Sequence, residues 1–355
     1  MNQGSGTVRI VTLEDAGDVD QMARDVRAGL LNMPKDLSPW PKYFYDAEGS
    51  RLFERITELP EYYQTRTELS ILREKAREIV ARARCREIVE LGSGSASKTR
   101  TLLDAMLKAP AHEGVPSGTP DKNPNPNGRP ARYVPLDVSV SALRESGERL
   151  LQEYPELEVF GYVGDFERSP VRLLRDHLAG EEREGGRLVI LLGGTIGNFT
   201  PERRRSFLGG LRAGLKGGDH LLIGVDLVKD PRVLEAAYDD GAGVTASFNK
   251  NLLKVINERL GGRFDPDLFV HRSSYDAEEA RIEMWLRSTV EQEVQVSGQG
   301  LKVRFGVGEE MRTEISTKFT PGSVREMFDE AGLTLLDLYT DDGNLFGLAF
   351  GRVEA

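Results

Sequence analysis

The sequence predicts an α/β protein built on a mainly parallel, doubly wound sheet. Short apolar runs alternate with stretches of helical periodicity between residues 67 and 229, as in a series of strand–helix–strand units. In addition, the runs RLVILL and HLLIGVDL are almost continuously apolar, which is typical of central strands buried on both faces. A second unit of different architecture interrupts this pattern near the end of the chain.

The first helix in this series is predicted over residues 65–83. The segment has apolar residues at helical spacing, contains no Gly or Pro, and begins with Thr65 and Thr67 as possible N-caps. It leads directly into the apolar run REIVEL, a Gly/Ser-rich turn and a second helical pattern from Lys98. The order is therefore strand, loop, helix.

Four more strands are predicted, in RYVPLDVS, EVFGYVGDF, RLVILL and HLLIGVDLV, with helices in SALRESGERLLQEY and PERRRSFLGGLRAGL. A Pro-rich stretch, residues 109–132, precedes the first of them and has almost no large apolar residue. It cannot pack a core, so it is predicted to be a mobile surface loop, either a tolerated insertion or a functional lid.

The alternation ends at Asp230. Residues 230–318 are predicted to be helical at first and then to form strands in RIEMWLRSTVEQEVQVSG and LKVRFGVGEEMRTEISTKF. The tail returns to a helix, PGSVREMFDEAG, and two strands joined by the turn DDGN, which predicts a terminal hairpin. A second, α+β unit is therefore expected to be inserted before the end of the first.

Composition excludes several classes of protein. The formal net charge of −10 argues against a nucleic-acid binder, and no stretch approaches the roughly 20 apolar residues of a membrane span. Cys85 is the only cysteine, and the four histidines lack metal-ligand spacing, so no metal site is predicted. The single cysteine and the lack of signal-peptide character in the first residues predict a cytoplasmic protein.

The loop VELGSGSASKT lies where the first strand of the series meets its helix. Gly92 and Gly94 would let the backbone approach a ligand closely. A dinucleotide fingerprint requires a third glycine where Ser97 stands, and the spacing of a P-loop is missing. The loop therefore predicts a site for a nucleoside-like ligand at the carboxyl end of the strand.

Acidic residues follow the next two strands. Asp137 is placed to accept hydrogen bonds from both hydroxyls of a ribose, or else to cap the next helix, a role that Ser139 could also fill. Asp165 could accept from an exocyclic amine, and Phe166 could stack on an adenine. This combination favours S-adenosylmethionine over NAD as the cofactor.

Several ordered motifs carry a more specific likeness. They are PKYFYDAEGSRLFERITELPEYYQTRTE, ELGSGSASKT, GDF, GGTIGNFTP, DLVKD, AYDDGAGVTASFNKN, RIEMWLRS and GEEMRTEISTKF. With these motifs, nearly the whole chain resembles the actinobacterial histidine-specific Nα-methyltransferases that make hercynine for ergothioneine biosynthesis. The Pro-rich stretch and the first few residues stand outside the resemblance.

The resemblance implies a class I S-adenosylmethionine-dependent methyltransferase fold, Rossmann-like, with an inserted α+β substrate-binding domain. Residues 67–229 and 319–355 would form the methyltransferase domain, and residues 8–66 and 230–318 the substrate domain. It also implies an enzyme that makes three successive methyl transfers to the α-amine of L-histidine. A monomer with a small-molecule substrate and neither nucleic-acid nor membrane partners is expected.

The resemblance also implies the site residues. Those for the cofactor are Gly92, Lys98, Asp137, Asp165 and Phe166. Those for the substrate are Tyr62, Asn198, Tyr238, Glu314 and Ser316, with Tyr45, Phe53, Gly193 and Met284 lining the pocket; Tyr45 and Asn198 would position the reactants and no catalytic acid or base is assigned. One departure is Gly194, where serine is expected in relatives.

The residue types suit the recognition of histidine. Tyr and Asn side chains can donate to a carboxylate, while Glu314 and Ser316, two apart on one strand face, could each meet a ring nitrogen. The alternative for Glu314 is a solvated charge on an alternating strand, and each tyrosine could be an ordinary half-buried one. Lys98 is expected to meet the cofactor's carboxylate, or else to lie in solvent without a partner.

Three other functions remain open at this point. One is an Nα-methyltransferase of a different amino acid or amine, because a fold does not fix its substrate. Another is a cofactor-binding regulatory protein without catalysis, although none of the assigned positions is disrupted. The third is a dehydrogenase, which the missing third glycine disfavours.

Overall fold

The structure, a computed structural model, describes residues 8–13, 19–108, 131–167, 172–178 and 185–354. Within these ranges the strands are β1 Val8–Thr12, β2 Lys35–Asp36, β3 Cys85–Leu91, β4 Arg132–Asp137, β5 Glu158–Val163, β6 Gly186–Leu191, β7 His220–Asp226, β8 Phe269–Asp276, β9 Arg281–Ser288, β10 Gln292–Val296, β11 Leu301–Phe305, β12 Glu310–Thr317, β13 Thr334–Thr340 and β14 Phe346–Arg352. The α-helices are α1 Val19–Leu31, α2 Ala47–Thr57, α3 Tyr63–Ala83, α4 Thr99–Lys108, α5 Val140–Glu153, α6 Pro201–Gly214, α7 Pro231–Tyr238, α8 Val244–Leu260 and α9 Pro321–Glu330. Residues 109–130, most of the predicted Pro-rich loop, lie outside the described residues.

The larger sheet has eight strands in the order β1–β5–β4–β3–β6–β7–β14–β13. The first six run parallel, whereas β14 is antiparallel to both β7 and β13. The predicted doubly wound α/β sheet and its terminal hairpin are therefore confirmed. Strand order reverses between β3 and β6, and such a switch point leaves a crevice at the carboxyl ends of the strands.

Neighbouring residues of the central strands belong to two separate hydrophobic clusters. Ile88 and Ile190 pack in a cluster with α3, α4 and α5. Val89 and Leu191 pack in another with α6 and α9. Since successive side chains of a strand point to opposite faces, helices cover both faces of the sheet. This double burial explains why these strands appear in the sequence as continuous apolar runs.

The second unit contains a four-stranded sheet, β2–β12–β9–β8, and the separate hairpin β10–β11. Its own hydrophobic cluster gathers residues of α1, α2, α7 and α8 with these strands. It meets the larger sheet where Leu227 pairs with Phe319, just beyond the ends of β7 and β12. The carboxyl end of β12 is therefore held beside the carboxyl end of β7.

The strand β1 corrects the predicted division of the chain. The prediction assigned residues 8–66 to the substrate domain, but β1 pairs in parallel with β5 at the edge of the larger sheet. Val8 and Ile10 alternate with more exposed neighbours, so one face of this strand is covered, and Val8 packs against the hydrophobic cluster that includes α5. The remaining boundaries stay a prediction.

The start of α3 also differs from the prediction. The helix begins at Tyr63, not Thr65, and its N-cap residue Tyr62 makes no side-chain cap. Thr67, a predicted cap, lies inside the helix and donates to the carbonyl of Tyr63. By contrast, Ser139 and Thr200 cap α5 and α6 as expected. None of the described helices is both long and apolar enough to cross a membrane.

Candidate active site

A cavity of about 400 Å³ opens at the carboxyl ends of β3, β4 and β6, at the switch point of the larger sheet. Elements of the second unit close its other side. A volume in this range is typical of small-molecule sites. Twelve of the fourteen predicted site residues line it: Tyr45, Phe53, Tyr62, Gly92, Lys98, Asp137, Phe166, Gly193, Asn198, Tyr238, Met284 and Glu314. The two that do not are Asp165 and Ser316.

The Gly-rich loop borders one end of the cavity. Gly92 and Gly94 have φ values of +75° and +48°, in the region that favours glycine. A Cβ at Gly92 would lie 3.4 Å from the Phe166 ring, whereas one at Gly94 would meet no atom within 4 Å. The backbone of this loop is thus open to a ligand that lies against Phe166.

Asp137 holds the Gly-rich loop from the end of β4. Its Oδ2 accepts from the Gly94 N–H at 3.0 Å and its Oδ1 from the Ser139 N–H at 3.0 Å. Burial raises the pKa of the Asp137 carboxyl, while these backbone donors oppose that rise. Ser139 accepts from Ala142 as the helix cap, so the capping alternative for Asp137 is wrong. Each carboxylate oxygen keeps a lone pair for a ligand hydroxyl.

Asp165 is held by the second unit instead of facing the cavity. Its Oδ2 accepts from Lys42 Nζ at 2.6 Å, and its Oδ1 accepts from the Glu167 N–H at 2.9 Å. Lys42 lies in the PKYFYDAEG segment and itself lines the cavity, as does Phe166. Contact of Asp165 with the exocyclic amine of an adenine therefore stays a prediction.

Lys98 has a protein partner that sequence reasoning missed. Its ammonium donates to Glu68, a carboxylate of α3 that is fully buried. Both oxygens of Glu68 also accept from the Gly193 N–H at 2.9 Å. The alternative of an unpartnered Lys98 in solvent is therefore wrong. Glu68 connects the Gly-rich loop to the loop after β6, and the only signal in the sequence was its place at the end of the PEYYQTRTE motif.

The loop after β6 carries two predicted residues, Gly193 and Asn198. Gly193 and Gly194 have φ values of +81° and +72° before the short 3₁₀-helix Thr195–Asn198. A Cβ at Gly194 would make only ordinary contacts, the nearest at 3.5 Å to Phe346. A Cβ would therefore fit at this position, and glycine instead of serine relieves the backbone strain of a positive φ.

The substrate end of the cavity is aromatic and polar. Tyr45 packs edge-on to Phe53 with ring centroids 5.6 Å apart, and Phe53 does so to Tyr62 at 6.2 Å. Burial raises the pKa values of Tyr45 and Tyr62, so both hydroxyls stay protonated. Met284 lies opposite Glu314 in the pairing of β9 with β12.

Glu314 is buried and faces the cavity, so the solvated-strand alternative is wrong. Burial raises the pKa of its carboxyl to about 7, and the nearby Lys318 ammonium opposes that rise. The opposite face of β12 is buried too, since Thr313 donates to the Met284 carbonyl and Ile315 lies in the core. The strand therefore has no solvated face at this point.

Ser316 differs from the prediction that it meets a ring nitrogen directly. It lies behind Tyr238 and outside the cavity lining. Its Oγ accepts from the Tyr238 hydroxyl and from Lys318 Nζ, each at 2.8 Å. Ser316 therefore supports Tyr238 in this structure, and the sequence pattern could not show that Lys318 would come between Ser316 and the core.

Two buried hydroxyls that the sequence reasoning missed also line the cavity. Both residues line the cavity, with the Ser93 hydroxyl beside Tyr133 and the Thr245 hydroxyl beside Asp240. Ser93 lies in the Gly-rich loop and Thr245 in the first turn of α8. Because a hydroxyl can donate and accept at the same time, each side chain keeps capacity for a polar ligand atom.

Comparison with known proteins assigns the chain to a family. Residues 22–353 match the model of a family described as histidine-specific methyltransferase, SAM-dependent. This match spans both units of the fold. The chain belongs to this methyltransferase family. It is therefore an enzyme that uses S-adenosylmethionine.

Curated relatives agree with the family. A histidine N-alpha-methyltransferase from Mycolicibacterium smegmatis is 46% identical over 93% of this chain and 94% of its own. Another from Mycobacterium tuberculosis is 44% identical over 95% of this chain and 96% of its own. Ergothioneine biosynthesis protein 1 of Schizosaccharomyces pombe is 29% identical over 83% of this chain but only 36% of its own.

The residues at the Gly-rich end fit the cofactor that the family uses. The open backbone at Gly94 offers close approach to a ligand, and the Asp137 carboxylate offers an acceptor for ribose hydroxyls. No group of acidic, His and Cys side chains in the described ranges is arranged to hold a metal ion. A methyl group already activated as a sulfonium needs no such ion in order to react with an amine.

Proposed function

We propose that this methyltransferase transfers three methyl groups in succession from S-adenosylmethionine to the α-amine of L-histidine, giving the betaine hercynine for ergothioneine biosynthesis. The observation that carries this proposal is a single cavity that joins the Gly-rich loop to the buried Glu314. The two most similar curated relatives mentioned above bear the name of the same reaction.

The reaction requires alignment more than proton transfer. S-adenosylmethionine, when bound, supplies an electrophilic methyl group on sulfur. The amine lone pair forms the new N–C bond as the S–C bond breaks, so the nitrogen must be neutral and held in line. Tyr45 and Asn198 line the cavity, and we assign positioning of the amine to them.

Recognition of histidine is divided among the other side chains. Tyr62, Asn198 and Tyr238 can donate to the carboxylate, and Glu314 can accept from an imidazole N–H. A buried carboxyl in an aromatic pocket is costly to leave unpaired, which disfavours substrates with apolar rings. This is the physical reason to prefer histidine over another amino acid.

At the cofactor end, Gly92 and Asp137 would hold the nucleoside, and Phe166 would stack on the adenine. Lys98 would meet the cofactor's carboxylate while it remains bound to Glu68, since an ammonium has three donors. Asp165 would bind the adenine amine if its carboxylate accepted from that amine as well as from Lys42 Nζ. We further propose a cytoplasmic monomer; the single cysteine of the sequence is typical of a protein in a reducing compartment.

Mass spectrometry of histidine incubated with the protein and S-adenosylmethionine tests the proposal. We expect products with one, two and three added methyl groups, and fragmentation should place all of them on the α-nitrogen. Methylation confined to the ring nitrogens would contradict the assignment. The molar mass, measured by light scattering as the protein elutes from a size-exclusion column, tests whether it is a monomer.

A further inference from the structure

A buried polar cluster lies directly behind the substrate end of the cavity. Its centre is Lys318, which follows β12 and is fully buried. The Lys318 ammonium donates to Asp226 Oδ2 at 2.8 Å, to Ser316 Oγ at 2.8 Å and to the Tyr238 hydroxyl at 3.0 Å. All three of its protons are therefore used, and of these partners only Tyr238 lines the cavity.

Gln64 reaches the same hydroxyl from the other side. Its Nε2 donates to Tyr238 Oη at 3.0 Å, while its Oε1 accepts from the Tyr62 hydroxyl at 3.2 Å. In this orientation the amide oxygen of Gln64 faces the Tyr62 hydroxyl and its amide N–H faces Tyr238. Gln64 and Lys318 thus both act as donors to Tyr238.

These two donors decide what Tyr238 can offer to a ligand. A phenol oxygen accepts about two hydrogen bonds and has one proton to give. Since both acceptor positions are occupied, the hydroxyl can act toward the cavity only as a donor. It now donates to Ser316 Oγ at 2.8 Å, and Ser316 would keep its bond from Lys318 if that proton turned toward a ligand.

The charge of the cluster acts in the same direction. Asp226 is also bound by Lys229 Nζ at 2.6 Å, so two ammonium groups share one carboxylate. Both lysines and Asp226 are almost entirely buried. The Lys318 ammonium lies 4.6 Å from the centre of the Tyr238 ring. Glu314 faces the Lys318 ammonium and Asp341 faces Lys229, so both positive charges are partly offset. Lys318, which donates directly to the Tyr238 hydroxyl, is the charge that favours an anionic group beside it.

We propose that Lys318 and Gln64 are positioning residues that fix the Tyr238 hydroxyl as a proton donor, and that they thereby select amino acids with a free carboxylate over amines without one. The inference deepens the proposed function and rests on it, because it takes histidine as the substrate. Lys318 lies outside the cavity lining and acts through Tyr238, whereas Gln64 borders the cavity and acts through the same hydroxyl.

Comparison of histidine with histidinamide, which lacks the negative charge, tests the proposal. In Lys318→Met, the ratio of kcat/KM for histidine over histidinamide should fall at least about tenfold, mainly through KM, because Tyr238 can then turn its proton inward. The Kd of S-adenosylmethionine should stay within about twofold, since Lys318 does not contact the Gly-rich loop.

Lys229→Met is the matched control. It removes an equal charge from the same Asp226, but Lys229 makes no bond to Tyr238. We expect the ratio of kcat/KM for histidine over histidinamide to change clearly less in this variant than in Lys318→Met. Equal changes in the two variants, or an unchanged ratio in Lys318→Met, would overturn the proposal.

Gln64→Leu gives a second, independent variant should Lys318→Met fail to fold. It frees one acceptor position of Tyr238 without disturbing the ion pairs, so the same ratio should fall. An unchanged ratio would overturn the proposal here as well. If the unaltered protein methylates neither compound, the proposed function itself is wrong, whereas a change in both compounds by the same factor contradicts only the positioning role.

Discussion

Asp137 is the acidic residue on which cofactor recognition should depend most. Replacing it in Asp137→Ala removes the acceptor for a ribose and leaves the Gly94 N–H without its partner. We expect binding of S-adenosylmethionine to weaken by about 1–3 kcal/mol, measured by titration calorimetry. Asp104→Ala on the exposed side of α4 is the matched control and should keep the parent affinity. Unchanged affinity in Asp137→Ala would mean that the ribose binds elsewhere.

Glu314 is the residue proposed to accept a hydrogen bond from the imidazole ring of histidine. In Glu314→Ala a ring N–H of bound histidine would be buried without an acceptor, which should cost about 1–3 kcal/mol and weaken binding roughly tenfold to a hundredfold. Glu310→Ala lies on the same strand but pairs with Arg272 outside the cavity, so it should bind histidine normally. Equal binding by both variants would return Glu314 to a purely structural role.

The raised pKa of Glu314 also predicts a pH dependence of stability. Its carboxyl has a folded-state pKa of about 7, above the ordinary value of 4.5. Between these values the folded protein holds a proton that the unfolded chain has lost. The contribution of Glu314 to the free energy of unfolding is therefore fully present below pH 4.5 and is lost as the pH rises to 7. Glu314→Gln has no such proton. Its Tm should decrease less than that of the parent over this interval, and an identical profile would contradict the shift.

At the scale of elements, contact between the 3₁₀-helix Thr195–Asn198 and β12 holds Asn198 beside the substrate end. A Cβ at Gly197 would lie 2.8 Å from the Thr317 carbonyl oxygen, too close for a real contact. We expect Gly197→Ala to lower the free energy of unfolding by roughly 1–3 kcal/mol and to raise KM for histidine.

Gly209→Ala is the control for that substitution. Gly209 lies exposed in α6, and a Cβ there would meet nothing within 4 Å. Because glycine in a helix is entropically unfavourable, this variant should be more stable by about 0.5–1 kcal/mol. If both variants gained stability in thermal melts, the approach of β12 to the 3₁₀-helix would be looser than described.

At the scale of the whole molecule, the Pro-rich insertion tests how much of the chain the enzyme needs. It falls between α4, which ends at Lys108, and β4, which begins at Arg132. Deletion of residues 111–129 should leave Tm and activity nearly unchanged, because shortening a loop costs little and this stretch has almost no large apolar residue. Lost activity with a normal Tm would instead identify a lid.

The two units of the molecule differ in how well the sequence predicted their boundaries. The terminal hairpin follows directly from the two strand-like runs around the turn DDGN, while the break at Asp230, inferred from a change in apolar periodicity, stays a prediction. The edge strand β1 was missed as part of the larger sheet, because a short strand covered on one side has a weak pattern and its partner β5 is far along the chain.

The candidate site was predicted only in part, because contacts between distant parts of the chain leave no local pattern in the sequence. Gly92 and Asp137 follow strands, and the carboxyl ends of parallel strands meet at one edge, so their proximity is implied by the order of elements. The pairing of Asp165 with Lys42, which lies 123 residues away, and that of Lys98 with Glu68 leave no local pattern in the sequence. Charged residues in helices are usually exposed to solvent, so the sequence alone gives no sign that a residue such as Glu68 is buried.

The sequence by itself determined the α/β sheet, the inserted unit and the residues that identify the family, because apolar periodicity and local motifs are written in neighbouring positions. Only the tertiary structure decided the directions of the hydrogen bonds in the cavity. Ser316 and Glu314 stand two apart on one strand, yet one supports Tyr238 and the other faces the cavity. Their roles diverge because Lys318 and Asp226, from separate strands, are buried together behind them, and burial forces every polar group there to find a partner.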